Sequence, residues 1–474
     1  MSDAFDALDD EVAEGARSPV SGVTSAIEAG EALSVPDKRR VLVELPAYLY
    51  VQIAWFAAFG MQMVVFPYLL KNQLDVSGTL LGAAQMALSL PSVVFILIGG
   101  AVAERADGRT LLTIFHLLAA IPAAVLAWAM EINQLTYWIM IVYAVGMGVV
   151  GAFMMPARDA ILNEVIDRRR RAGSNITLQQ GVSFATLAQF AAQIGGLILG
   201  GMATLWGAKI LMVIQGVIVA SGFIAAIGLS KGQMIRSNRQ GAGAVFGEIK
   251  DGLKTVKENP ILLSMVGTMF GIGVFVIGAF LVVLPIVNDD IYHLNSGGLR
   301  NIFVTFWAGA FVSSVAMSVS RAIKRPGRLQ TVALGIGALC ILIMVKPMPY
   351  MAFLSIVFIW GLCAGVCITM SRSIVQKAAP PQQLARVLSI YQLGFMGGAP
   401  LGAASMGILT DAIGPQLVAV APAIGLFGII ILLIVATPIW KLSQSDLEAC
   451  NKHHQEDDPD IIDTKETKTE ETVK

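Results

Sequence analysis

Twelve long apolar runs divide this chain, and they constrain its fold more than any other feature does. They cover about residues 46–70, 79–103, 111–130, 135–155, 175–203, 208–230, 261–287, 300–322, 329–346, 350–370, 387–410 and 416–440. A helix needs about 20 apolar residues to cross the hydrocarbon core of a bilayer. Hydrophobic residues make up 55% of the chain and charged residues 14%, so the excess apolar surface requires lipid as its solvent. These runs predict an all-α membrane protein with twelve transmembrane helices.

The polar segments divide the chain into five parts. Residues 1–40 are acidic and lack the basic start of a secretory signal, so we predict a disordered tail. Residues 41–230 and 261–440 each hold six spans and form two pseudo-symmetric halves. The linker 231–260 carries six basic residues and apolar residues at helical spacing. This pattern favours an amphipathic linker helix over a lipid sensor. Residues 441–474 form a second polar tail.

The basic residues near the spans predict the orientation. If the amino terminus is cytoplasmic, 24 of these residues lie on the cytoplasmic side and four on the other. Lys and Arg accumulate in cytoplasmic loops of membrane proteins. We therefore expect both termini in the cytoplasm, with the protein in the inner membrane of a bacterium.

A short charged loop occurs once in each half, between the second and third spans. The first copy contains Gly100, Glu104, Arg105, Asp107 and Arg109. The second copy is less complete, and it contains Lys324, Arg325 and Arg328. One loop used twice indicates a duplicated chain.

These motifs resemble those of the major facilitator superfamily, over nearly the whole chain apart from its tails. The superfamily loop has a Gly, three residues, Asp-Arg and then Gly-Arg-Arg or a close variant, and residues 100–109 match it with Glu104 in place of the usual Asp. Further motifs resemble the branch that holds the enterobactin exporter and related drug/proton antiporters. They are Pro156-Ala157-Arg158-Asp159-Ala160, Gly252-Leu253 with Asn259-Pro260, Arg386-Val387-Leu388-Ser389-Ile390-Tyr391, and Ala399-Pro400-Leu401-Gly402.

The resemblance implies that the first loop is a conformational clamp. The eleventh span is expected to begin near Val387, where free N–H groups and partial positive charge could hold the Glu104 carboxylate. Arg105, Arg109 and Arg158 could then complete a network with Asp107 and Asp159 that closes the cytoplasmic mouth. The alternative is that these charges serve only as topology signals.

Several spans carry one polar or aromatic stripe. The first has Gln52, Trp55, Phe59 and Gln62 on one face, and the fifth has Gln179, Ser183 and Thr186. Other candidates are Gln85, Tyr143, Asn301, Thr305, Trp307 and Tyr391. By the resemblance, these spans line a central cavity, and neutral amides with aromatic rings suit a bulky amphipathic ligand. Hydrogen bonding between helices explains any single one of these residues equally well.

The twelve spans, with the limits given above, contain no Asp or Glu. Proton coupling would then depend on residues near the span ends or on an imidazole. The coupling candidates are Glu44, His116, Asp289 and Asp290, and a packing role is the alternative for His116. Transport is accordingly expected to depend only weakly on a proton gradient.

Three functions are compatible with these features. The first is export of a hydrophobic or amphipathic small molecule by alternating access, the second is import of a nutrient, and the third is a membrane sensor or assembly subunit. No phosphate-binding loop, nucleophile, base or metal-ligand pattern occurs, so we expect neither an enzyme nor a cofactor. Equal numbers of basic and acidic residues, 33 each, argue against nucleic acid as a partner. The protein is expected to be a monomer. Whether protons are a coupling ion is left open.

Overall fold

The computed structural model describes residues 38–230, 250, 252–319, 323–380 and 383–447. Within this part of the chain, twelve helices are long and apolar enough to cross a membrane, which confirms the predicted fold class. We number them in chain order as α1 Lys38–Tyr68, α2 Gly78–Arg105, α3 Gly108–Glu131, α4 Tyr137–Arg171, α5 Leu178–Gly200, α6 Ala208–Ile227, α7 Pro260–Ile291, α8 Ser296–Val319, α9 Pro326–Ile343, α10 Tyr350–Ala378, α11 Leu384–Ile413 and α12 Leu417–Val435.

Successive helices cross in opposite directions, so α1 begins and α12 ends on the same side. We call this side the basic face, because the arginines of residues 168–171 and of the two charged loops belong to it. The other side is called the distal face. Most of both tails and most of the linker lie outside the described residues, whereas 252–258 of the linker are helical.

Local capping explains where several helices begin. The Ser77 side chain accepts a hydrogen bond from Leu80 N at the start of α2, and Asp107 accepts one from Thr110 N at the start of α3. Asn259 caps α7 in the same way. These side chains satisfy N–H groups that the first turn of a helix leaves without partners.

Some helices continue past the predicted spans. Helix α4 runs to Arg171 instead of ending near residue 155, and α10 runs to Ala378 instead of residue 370. The predicted ends marked where the apolar run stops, but a helix needs no lipid to continue. Four arginines in the last turn of α4 also interact favourably with the negative end of the helix dipole.

The second half repeats the packing of the first. Helix α1 packs on α5 as α7 packs on α11, and α2 packs on α4 as α8 packs on α10. Helix α3 contacts α4 and α6, and α9 contacts α10 and α12. A π turn over Leu69–Gln73 directly follows α1, and a π turn over Val287–Ile291 ends α7, both at the distal face. The duplication predicted from the charged loops therefore extends to the helix packing.

Glycines allow the closest of these contacts. A Cβ atom added to Gly196 would lie 2.1 Å from the carbonyl oxygen of Ala57, in the α1–α5 contact. A Cβ atom on Gly402 would lie 2.1 Å from the carbonyl oxygen of Val274, in the matching α7–α11 contact. Small residues bring helix backbones together in this way in membranes.

Candidate functional site

The two halves contact each other strongly at the distal face. The carboxylate of Asp411, near the end of α11, accepts hydrogen bonds from Gly78 N at 2.8 Å and from Thr79 N at 2.7 Å. These N–H groups belong to the first residues of α2. A helix start of this kind has free donors and partial positive charge, so it binds a carboxylate well. We call this contact the distal lock.

The ends of α1 and α7 form a second contact beside the distal lock. Lys71 Nζ lies 3.1 Å from Asp290 Oδ1, and Asn72 donates a hydrogen bond to Asp289. The two acids also line an open polar groove of about 550 Å³, together with Asn72, His293, Leu294 and Asn295. Asp289 and Asp290, two of the coupling candidates, therefore face the distal surface and already have partners from the first half.

The start of α8 contacts the end of α5 in a third place. Ser296 Oγ donates to the carbonyl oxygen of Gly201 at 3.1 Å and accepts a hydrogen bond from Thr204 N at 3.3 Å. A Cβ atom on Gly201 would collide with the side chain of Arg300 at 2.4 Å. By the pseudo-symmetry, this α5–α8 contact corresponds to the α2–α11 contact, so the distal face is closed on both sides.

Contacts between the halves continue into the membrane through neutral side chains. Gln85 on α2 donates to the carbonyl oxygen of Leu281 on α7 at 3.3 Å. The ring of Phe190 on α5 lies 6.0 Å from the ring of Trp307 and 5.7 Å from that of Phe311, both on α8. We call Phe190, Trp307 and Phe311 the aromatic bridge. The Trp307 indole N–H is buried without a hydrogen-bond partner.

The predicted stripe on α1 packs inside the first half. Gln52, Trp55 and Gln62 are all buried. The Trp55 ring contacts His116 of α3 edge-on at 6.4 Å. Tyr143, on α4, accepts a hydrogen bond from Gln215 of α6 at 2.7 Å. The described contacts direct Trp55 and Tyr143 toward helices of their own half.

The remaining predicted cavity residues lie in different surroundings. Asn301 accepts hydrogen bonds from the neighbouring Arg300 guanidinium at 3.0 and 2.9 Å. Thr186 is exposed, and its hydroxyl donates to Val182 O. Tyr391 is buried on α11. Phe59 and Thr305 are half-buried, and the side chains of Gln179 and Ser183 lie outside the described part of the chain.

Four of the seven predicted clamp residues in the first half have a described environment. Arg158 binds the adjacent Asp159 with Nε at 3.0 Å and Nη2 at 2.8 Å, and its guanidinium lies 5.1 Å from the centre of the Phe56 ring. Asp107 serves as the cap of α3, and Arg109 lies in its first turn. The side chains of Gly100, Glu104 and Arg105 are outside the described residues.

The second copy of the loop interacts with the chain that follows α12. Arg328 stacks over Trp440 at 5.1 Å. The carbonyl oxygen of Lys324 accepts a hydrogen bond from Gln444 N at 2.9 Å, and Arg325 precedes the first turn of α9. These contacts all lie within the second half, at the basic face.

The other coupling candidates are also partnered. Glu44 is fully buried, and its carboxylate lies 2.9 Å from Arg168 Nε. His116 Nδ1 donates to the carbonyl oxygen of Val219 at 2.8 Å, and a Cβ atom on Gly222 would lie 2.3 Å from its ring. This environment supports the packing interpretation of His116.

The apolar runs contain no acid, but the longer helices that include these runs do. Helix α1 includes Glu44, α7 includes Asp289 and Asp290, and α11 includes Asp411. Each helix extends beyond its apolar run, and this extension brings the acids into it. Asp411 was missed because it stands one residue past the predicted end of the eleventh span. The sequence signal for this site was an acid three residues before Gly414, near the end of a helix. Its partners on α2 are backbone N–H groups, which no residue type marks in the sequence.

Comparisons with known proteins agree with this architecture. The family model of the Major Facilitator Superfamily matches residues 49–403 and 331–463. None of the curated proteins matches the chain in sequence.

Solved structures share the fold. A mutant of the nucleoside transporter NupG has a TM-score of 0.69 at 12% identity and covers 82% of this chain and 99% of its own. NupG itself has a TM-score of 0.66 at 12% identity, covering 84% and 99%. A bacterial homolog of the human lysosomal transporter Spinster, in an inward-facing and unoccupied conformation, has a TM-score of 0.58 at 12% identity, covering 88% and 98%. Identity at this level establishes a shared fold alone.

Proposed function

Because the chain belongs to the Major Facilitator Superfamily, it is a secondary transporter, and we propose that it exports a hydrophobic or amphipathic small molecule by alternating access. The branch motifs around Arg158 and Tyr391 support export. Proton antiport is characteristic of the branch that they resemble.

The aromatic bridge is the observation that carries the proposed substrate class. Phe190, Trp307 and Phe311 join the halves inside the membrane, and the nearby Gln85 adds a neutral amide. Separation of the halves would expose apolar rings and the unpartnered indole N–H of Trp307. A ligand with an apolar body and a hydrogen-bond acceptor matches this surface. Asn301 and Thr305 lie on the same helix as Trp307.

Alternating access is supported by one helix-start contact in the structure and by a second one predicted from the sequence. The distal lock joins Asp411 to the start of α2. The loop at residues 100–109 is predicted to place Glu104 at the start of α11, at the opposite face. We propose that the two contacts form in turn, so that the distal lock belongs to the state that opens toward the basic face.

The proposed setting is the inner membrane of a bacterium, with both termini in the cytoplasm and the protein acting as a monomer. The excess of basic residues on one face supports this orientation, because Lys and Arg are retained on the cytoplasmic side during insertion. The basic face would then open to the cytoplasm.

The test is transport in proteoliposomes with Trp307→Phe. This change keeps an aromatic ring and removes the indole N–H, so binding of an amphipathic fluorescent dye should weaken about 2- to 10-fold, as for one lost hydrogen bond. Trp138→Phe is the matched control, since Trp138 is 74% exposed on α4. Equal effects of the two changes would contradict a ligand role for the aromatic bridge.

Dye accumulation in cells with and without the protein distinguishes the rival functions. Export predicts dye movement out of cells and less accumulation when the protein is present. Accumulation that increases with the protein would instead support a nutrient importer. Dye binding without movement in either direction would support a membrane sensor.

A further inference from the structure

A line of buried polar residues follows one face of α1 from the basic face inward. Glu44, Tyr48, Gln52 and Trp55 are separated by four, four and three residues, so they share one side of the helix. Their exposed fractions are 0, 0, 3 and 5%. Each has one polar atom without a hydrogen-bond partner, and these atoms are Glu44 Oε1, Tyr48 Oη, Gln52 Oε1 and Trp55 Nε1.

Three residues of neighbouring helices add unpartnered atoms to the same region. Arg168 Nη2 and Arg158 Nη1 come from α4, and His116 Nε2 comes from α3. The Arg168 guanidinium already contacts Glu44 at one end of the line, and the His116 ring contacts Trp55 at the other. Arg158 stacks on Phe56, the residue after Trp55. Seven unpartnered polar atoms therefore lie along the region between α1, α3 and α4.

The mixture of donors and acceptors among these seven atoms determines which kind of ligand could bind there. The two guanidinium atoms and the indole N–H only donate, whereas Glu44 Oε1 and Gln52 Oε1 only accept. The His116 Nδ1 proton is directed to Val219 O, so Nε2 of the neutral ring is an acceptor. An anion would satisfy only the donors, and a cation would be repelled by two arginines. Water both donates and accepts, so it satisfies every atom in the set.

We propose that these residues bind a row of ordered water molecules, which enters the first half at Glu44 and Arg168 and ends at Trp55 and His116. Buried polar atoms lacking protein partners are commonly satisfied by ordered water, each molecule making about three hydrogen bonds. The 11 residues from Glu44 to Trp55 rise about 16 Å along the helix. The row hydrates the Arg158 and Arg168 guanidinium groups inside the helix bundle. The proposal depends on neither the substrate nor the direction of transport.

The matching region of the second half has a different character. There α7 buries Leu262, Met265 and Met269, and the hydroxyl of Thr268 donates to its own helix at Ser264 O. The row is therefore expected along α1 and not along α7.

X-ray hydroxyl-radical footprinting of the purified full chain in lipid nanodiscs tests the row directly, because radicals formed from bound water oxidise the side chains beside it. Tyr48 and Trp55 should be oxidised several-fold faster than buried residues of the same type. The controls are Tyr143, which is 2% exposed with its hydroxyl bonded by Gln215, and Trp360, which is 3% exposed. Equal oxidation rates within each pair would overturn the proposal.

A variant tests whether the row is continuous. Gln52→Leu places an apolar side chain midway, so oxidation of Trp55 should fall several-fold while that of Tyr48 is retained. Gln62→Leu removes the same amide beyond the end of the row and should leave Trp55 unchanged. If Gln52→Leu does not fold, the comparison of Tyr48 with Tyr143 in the unmodified protein still tests whether the water row exists. Unchanged Trp55 oxidation in folded Gln52→Leu would contradict a continuous row.

Discussion

The carboxylate of Asp411 lies 2.8 Å from the backbone N–H of Gly78, across 333 residues of sequence. The same carboxylate accepts a hydrogen bond from Thr79 N. Asp411 therefore caps the start of α2 in addition to the local cap, Ser77. This contact joins the two halves at the distal face. Its position opposite the charged loop at residues 100–109 suggests two locks that act at opposite faces.

Asp411→Asn should weaken the distal lock. A charge at a helix start contributes about 0.3 to 2 kcal/mol, so the equilibrium should shift a few-fold or more toward a state open at the distal face. Spin labels placed at the exposed loop residues Gln134 and Lys346 should show a longer distance population. Asp446→Asn is the control, because Asp446 accepts from Ser443 at the basic face. An unchanged distance distribution would show that Asp411 does not control opening.

Glu104→Gln should shift the population in the opposite direction. The neutral amide loses the charge-assisted contact proposed with the start of α11, again worth about 0.3 to 2 kcal/mol. Cross-linking between the halves at the basic face should decrease. If both cross-linking and transport stay the same, the loop serves only as a topology signal.

Cys450 should report the orientation of the protein. Cys340, Cys363 and Cys367 are buried, so a membrane-impermeant thiol reagent should select Cys450. We expect labelling only after the cells are permeabilised, because the basic face is predicted to be cytoplasmic. Cys450→Ser is the negative control. Labelling of Cys450 in intact cells would contradict the predicted orientation.

Transport should depend only weakly on an imposed pH gradient. The acids of the spans already have partners, with Glu44 bound to Arg168 and Asp290 bound to Lys71. The measurement uses proteoliposomes with Glu44, Asp159, Asp289, Asp290 and Asp411 neutralised one at a time. Strong gradient dependence that one neutralisation abolishes would identify that acid as the coupling site. Strong dependence that survives all five would make His116 the candidate again.

Glu44→Gln should destabilise the first half. Arg168 would lose its buried carboxylate and keep only Glu164, at 3.1 Å. Breaking a fully buried ion pair costs about 3 to 5 kcal/mol, and we expect about 1 to 3 kcal/mol because Glu164 remains. A thermal unfolding assay in detergent should show a lower melting temperature. The matched change Glu164→Gln, at a part-buried i,i+4 pair, should cost about 0.3 to 0.5 kcal/mol, so equal losses would contradict the importance of burial at Glu44.

The sequence alone determined the twelve crossings, the helical class and the duplication. Run length decides a crossing because the thickness of the bilayer is constant, so each apolar run could be interpreted without knowledge of its neighbours. The stripe of Gln52, Trp55 and Gln62 was also predictable as one face, since helical spacing is a local property.

Only the tertiary structure decided what those faces contact. Whether Trp55 faces a cavity or His116 depends on how α1 is rotated against α3, and no local pattern encodes that rotation. The distal lock was hidden for a similar reason, since Asp411 binds backbone N–H groups that every residue except proline possesses. Sequence specifies the donors and acceptors, while the packing of distant helices decides which of them meet.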